Sequence, residues 1–316
     1  MSRPYRGVIV LAAPRSGTTL LHRLLDAHPA IACPPETSLF IGCASFVQEE
    51  PIASGPPLGV ASGLWFSGFS EQVVLERVRD LAFGFLDEIC ARGKKRLWVE
   101  KTGSNGFYVD GIERVVGKSC RYVCLVRHGF DVAVSMREMV EKLGTIPLPL
   151  YRYVHSHRRP LEAYAHAWVD VCLRLRRFCS DNPEHALRIR YEDLVADPEA
   201  VVKELCEFLE EPGDAAAIVA RAFEPREAQE SKASVGLGDW KTYRTSGVHD
   251  ASVGRWASVA KDQVGWLAEV LNPTLELEGY APLPLGPDLG REEVLRRSKR
   301  AMLISGLGAE ERSRGE

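Results

Sequence analysis

Val8-Ile9-Val10-Leu11-Ala12 is a short, unbroken apolar run rich in β-branched residues, and it reads as a buried strand. It runs into a tight turn of small and hydroxyl residues, and then into Leu20, Leu21, Leu24 and Leu25 at helical spacing. Two more strands follow the same logic, at Arg96–Val99 and Arg121–Val126. Between them lie amphipathic helices. Ser70 to Cys90 places Val74, Leu75, Val78, Leu81, Ala82, Phe85, Leu86 and Ile89 on one face, and Ala163 to Phe178 forms another helix. Strands alternating with helices predict an α/β fold, a mainly parallel sheet with helices on both faces. Two irregular stretches, 41–69 and 143–160, read as long loops that wall and cover a pocket. Residues 1–285 form one expected domain, and 286–316 a charged tail with one helix over Arg291–Leu303.

Composition narrows the classes. A chain of 316 residues with 45% hydrophobic residues can bury a substantial core. A net charge of −3 offers no footprint for nucleic acid. The eight cysteines are scattered without a C-x-x-C, which suits buried thiols in a reducing cytoplasm better than disulfides or a metal site. The first apolar run is too short for a leader and feeds directly into the turn, and no run reaches membrane-spanning length. The expectation is a soluble, cytoplasmic protein without a membrane anchor.

Chemistry enters at the first turn. A strand that turns directly into a helix aims unpaired N–H groups and the positive end of the helix dipole at one point, which suits a phosphate. The nucleotide triphosphatase loop is G-x-x-x-x-G-K-[ST]. Aligned on Gly17, it fails at Ala12 and Thr18, and the cation sits earlier, at Arg15. Arg15, Ser16, Gly17, Thr18 and Thr19 can still grip an anion. A second site begins where Arg121–Val126 ends in Arg127. Asp131 reads as the N-cap of the next helix, and Ser135, eight residues beyond Arg127, can converge with it on one phosphate.

These two sites resemble the phosphate-binding elements of sulfotransferases that use 3′-phosphoadenosine 5′-phosphosulfate (PAPS) and release 3′,5′-adenosine bisphosphate (PAP). The resemblance spans residues 6–283. It implies that the loop at Arg15–Thr19 holds the 5′-phosphosulfate and that Arg127 and Ser135 hold the 3′-phosphate, without a metal. Arg190-Tyr191-Glu192-Asp193-Leu194 resembles a family strand that brings Tyr191 near the nucleotide. Ser252-Val253-Gly254-Arg255-Trp256 resembles the loop that closes over it through Gly254, Arg255 and Trp256. The opening segment, with Asp26-Ala27-His28-Pro29 and Glu36-Thr37, is most similar to tyrosylprotein sulfotransferases, and it implies Glu36 as the base.

Lys101 matches a family lysine at the leaving oxygen, a duty Arg15 would share. Phenol and steroid sulfotransferases place a histidine just after that lysine, where this chain has Gly103. Glu100 and His249 therefore stay open as alternatives to Glu36. The arginine that reads acidic peptides in the tyrosylprotein enzymes is replaced by Ser38. The apolar, proline-rich lid sequences point to a small-molecule, lipid or carrier-bound hydroxyl acceptor, as in bacterial secondary metabolism. A homodimer is compatible with the resemblance. An ATP-dependent phosphotransferase and a non-catalytic nucleotide-binding module are the competing classes.

Overall fold

The structure, a computed structural model, describes residues 4–50, 58–224, 247–258 and 261–285; the expected tail helix lies outside them. Five strands form one parallel sheet: β1 (Gly7–Ala12), β2 (Ile31–Ala32), β3 (Leu97–Lys101), β4 (Cys120–Val126) and β5 (Ala186–Arg190). Their spatial order is β2-β3-β1-β4-β5. The unbroken apolar runs follow from burial on both faces. Along β1, Ile9 and Leu11 pack into one core cluster, whereas Val8, Val10 and Ala12 pack into the other.

The second cluster is covered by α1 (Thr18–Asp26), α9 (Tyr191–Ala196), α10 (Pro198–Phe208) and α11 (Ala215–Ala222). The first is covered by α2 (Leu39–Phe46), α3 (Val60–Phe66), α4 (Glu71–Arg92), α5 (Val109–Val116), α6 (Gly129–Leu143), α7 (Leu148–Ser156), α8 (Pro160–Asp181) and α12 (Lys261–Leu277). From β1 the chain runs to the edge strand β2, returns to insert β3 between the two, then crosses to lay β4 on the other side of β1. That reversal opens a crevice at the carboxyl ends of β1, β3 and β4, where α/β sheets bind ligands.

The structure corrects four local expectations. The stretches read as loops carry helices: α2 and α3 fall within or across 41–69, and α7 lies in 143–160. Pro149 falls in the first turn of α7, where a missing N–H costs nothing. On α4 the buried stripe is Val74, Val78, Ala82, Phe83, Leu86 and Cys90, and Leu81 and Phe85 are exposed. The strand that resembles the family's ends at Arg190, so Tyr191 opens a helix. Asp131 is not an N-cap, because α6 starts at Gly129 and His128 takes that position. Asp197, by contrast, caps α10 as its sequence indicates, accepting the Ala200 N–H at 3.0 Å. The eight cysteines are all free thiols. Among the described residues, no helix is long and apolar enough to cross a membrane.

Candidate active site

The turn between β1 and α1 departs from ordinary backbone twice. Arg15 has φ 70° and Gly17 φ 95°, both in the left-handed region. Gly17 is required there for a second reason: a Cβ would lie 2.2 Å from Cδ2 of Tyr191. The loop therefore wraps against the Tyr191 ring. No side chain caps α1, so the first N–H groups of the helix stay available to a ligand.

Arg127, at the end of β4, reaches the same loop. Its Nη1 donates to the Arg15 carbonyl at 3.0 Å, its Nη2 donates to the Ser252 carbonyl, and its guanidinium lies 4.6 Å above the Tyr191 ring. Trp168 Nε1 in turn donates to the Arg127 carbonyl at 3.0 Å. Arg15 Nε donates to Ser135 Oγ at 3.1 Å. Arg15, more than a hundred positions from Arg127 and Ser135 along the chain, thus forms one cluster with them. Ser16 Oγ and Arg127 Nε are buried there without a hydrogen-bond partner. Buried polar atoms are ordinarily satisfied. Orphans of this kind beside two guanidinium groups and a helix N-terminus fit a phosphate-bearing ligand.

The second half of the site lies at the end of β3. Lys101 Nζ donates to Glu36 Oε1 at 2.8 Å, and the Gly103 N–H donates to the same oxygen at 3.3 Å. The Lys101 side chain is 3% exposed and that of Glu36 is 23%, so the lysine sits behind the carboxylate. Glu100 alternates to the other side of the strand and is wholly buried. Its carboxylate accepts from Thr37 Oγ1 at 2.9 Å, Thr102 Oγ1 at 2.5 Å and Asn105 Nδ2 at 2.8 Å. Burial pushes its carboxyl above the usual range, and the donors from Thr102, Asn105 and Thr37 pull it back. Thr102 Oγ1 also accepts the Ser38 N–H at 3.0 Å, tying the segment after Glu36 to β3.

An open cleft of about 830 Å³ joins the two halves. Arg15, Gly17, Thr18, Thr19, Glu36, Arg127 and Tyr191 line it from the polar side, and Met139, Leu143, Pro147, Pro149 and Leu150 from the apolar side. Ser16, Lys101 and Ser135 are buried and do not line it; Ser135 is held to the lining through Arg15 and Lys101 through Glu36. Glu100 does not reach the cleft. His249 is exposed and lies outside the lining residues. Neither alternative to Glu36 is brought to the wall.

Gly254, Arg255 and Trp256 sit on the start of α6. The Gly254 and Trp256 N–H groups donate to Asp131 at 2.8 and 2.9 Å, and Arg255 pairs with Glu138. The Trp256 ring stacks near His128 and Phe130, with centroids 5.9 and 6.1 Å apart. Burial lowers the His128 imidazole to about 4, so it packs neutral. Sequence reasoning missed Ser252, which lines the cleft, and the acceptor role of Asp131. The spacing of Asp131 and Ser135 behind Arg127 is the signal that could have found the latter, since residues four apart on one helix share a face. Among the described residues, no group of three or more His, Cys, Asp or Glu side chains could hold a metal ion.

Parallel sheet, crevice and the turn between β1 and α1 together define an α/β scaffold of the P-loop-like kind. The profile of the Sulfotransferase family matches residues 7–215, and the chain belongs to that family. It is 26% identical over 256 residues to the nodulation protein NoeE of Sinorhizobium fredii, covering 78% of this chain and 59% of that one. The chain thus spans less than two thirds of that relative's length. It is 22% identical over 301 residues to protein-tyrosine sulfotransferase 1 of Danio rerio, covering 91% and 76%. The solved sulfotransferase domain from the curacin biosynthetic pathway superposes with a TM-score of 0.62 at 22% identity, over 89% of this chain and all of that one, and shows the same fold.

Proposed function

We propose that the protein is an O-sulfotransferase that moves the sulfuryl group of PAPS to a hydroxyl of an acceptor with an apolar body. The observation that carries this reading is the single cleft joining the loop Arg15–Thr19 and Arg127 to the Glu36–Lys101 pair. PAPS supplies the transferable sulfuryl group, and PAP leaves. Ser16, the N-terminal N–H groups of α1 and Arg15 hold the 5′ end; Arg127 and Ser135 hold the 3′-phosphate, with Tyr191 supporting the guanidinium. Gly254, Arg255 and Trp256 complete the nucleotide side.

Glu36 takes the proton of the acceptor hydroxyl. Its Oε1 is occupied by Lys101 and Gly103, which leaves Oε2 as the receiving oxygen. Lys101, buried behind Glu36, holds that carboxylate in place and turns toward the leaving oxygen as negative charge builds there, with Arg15 on the opposite side. Donors aimed at developing charge in a water-poor site are typically each worth about a hundred- to a thousandfold in rate. Glu100 serves the scaffold. Met139, Leu143, Pro147, Pro149 and Leu150 line the side of the cleft available to the acceptor, and a wall of that kind suits a lipid-like, aromatic or carrier-bound hydroxyl better than an acidic peptide.

The test is turnover. The protein is incubated with PAPS and a panel of aliphatic and aromatic alcohols, PAP is quantified, and the acceptor is followed by mass spectrometry. Acceptor-dependent PAP formation with a sulfate mass gain supports the reading. Phosphate transfer from ATP with magnesium on the same panel would overturn it.

A further inference from the structure

The geometry points to Asp131 as a positioning residue that fastens the stretch 252–256 beside Arg127 and so governs how long the nucleotide stays bound. The inference rests on Arg127 being a nucleotide anchor.

Asp131 is wholly buried in the first turn of α6, four residues after Arg127 and one turn before Ser135. A buried carboxylate is costly unless its oxygens are satisfied. Here each oxygen takes one backbone N–H: Oδ2 that of Gly254 at 2.8 Å, and Oδ1 that of Trp256 at 2.9 Å. Two main-chain donors on one carboxylate fix the path of the stretch whatever its side chains. Gly254, at φ 71°, supplies the bend that turns both N–H groups inward.

The remaining contacts of the stretch reach the same end of α6. Arg127 donates to the Ser252 carbonyl, Trp256 stacks near His128 and Phe130, and Arg255 pairs with Glu138. The consequence for a ligand is direct. Ser252 lines the cleft together with Arg127, so the stretch fastened by Asp131 is part of the wall beside the phosphate anchor. The Ser252 carbonyl also sets the direction of the Arg127 guanidinium. Without the carboxylate, two N–H groups lose their acceptor, the stretch lifts and Arg127 loses its brace. The entry route is unchanged, so the effect falls on release.

The experiment measures association and dissociation of PAP separately, by rapid mixing and by a chase of labelled PAP with unlabelled, on the full chain and on Asp131→Asn and Gly254→Pro. Loss of hydrogen bonds to a buried charge predicts dissociation faster by about ten- to a hundredfold in Asp131→Asn. Association is expected to stay within about threefold, a split that mere loss of folded protein would not produce. Gly254→Pro removes one of the two N–H donors and the bend while keeping the carboxylate and α6 intact, and is expected to move dissociation the same way, which decides the matter if Asp131→Asn does not fold. Variants that melt like the wild type and release PAP at its rate overturn the inference while leaving the nucleotide reading standing. A wild-type protein that does not bind PAP overturns both.

Discussion

Gly17→Ala is the smallest change expected to damage the anion loop. The substitution meets two costs. Alanine at φ 95° carries the left-handed penalty, about 1–2 kcal/mol. Its methyl would also lie 2.2 and 2.4 Å from Cδ2 and Cε2 of Tyr191, which is itself buried, so either the ring or the loop must move. Overpacking of that kind costs about 1–3 kcal/mol. The sum, about 2–5 kcal/mol, corresponds to a fall in Tm of about 4–10 °C at about 2 °C per kcal/mol for a chain of this size. The Tyr191 ring also supports the Arg127 guanidinium at 4.6 Å, so displacement of the ring reaches the nucleotide site. Differential scanning fluorimetry and calorimetric titration with PAP read both effects, and PAP affinity is expected to fall about tenfold or more. A variant with wild-type Tm and wild-type PAP affinity would refute the placement of Gly17 against Tyr191.

Other outcomes follow from the same geometry. Glu36→Gln should retain PAP binding within about threefold while kcat falls by about two to four orders of magnitude, the usual loss of a general base; equal turnover would exclude Glu36 from that role. Lys101→Met should lower kcat by about a hundred- to a thousandfold, and an unchanged rate would remove Lys101 from the leaving-group side. His128, held neutral by burial with a folded pKa of about 4 against an ordinary 6.5, binds fewer protons folded than unfolded between those values. Its contribution is therefore complete above about pH 6.5 and is lost as pH falls toward about 4. Urea melts of His128→Phe, which keeps the stacking ring, should show a smaller loss of stability between pH 7 and 4.5 than the wild type; parallel losses would contradict the assignment.

What could be read from the chain alone was local. The strand at Val8–Ala12, the turn at Arg15–Thr19 and the helix after it are consecutive, and each announces the next. Arg127 and Ser135 lie on one strand end and the helix that follows it. Glu36 and Lys101 could each be named, but their hydrogen bond joins residues 65 positions apart, and only the sheet order brings the two segments together. Asp131 misled because an acidic residue near a helix start reads as a cap, whether it serves its own helix or a segment more than a hundred residues away. The helices α2, α3 and α7 were hidden by Gly, Pro and aromatic residues whose propensities favour turns until tertiary packing overrides them. On α4, two overlapping apolar stripes were present in the sequence, and only the packed structure selects the one through Val78 and Leu86. Glu100 stood open as an alternative base to Glu36, and strand alternation sets it apart from its neighbour Lys101: the lysine reaches the Glu36 carboxylate, and Glu100 is enclosed by Thr37, Thr102 and Asn105.

The central claim, that Arg15–Thr19 and Arg127 form a site for PAPS, is tested most directly by calorimetric titration of the protein with PAP beside ATP and magnesium. The account predicts tight binding of PAP, lost in Arg127→Ala, and weak binding of ATP. Binding of ATP with magnesium alone, indifferent to Arg127, would contradict it.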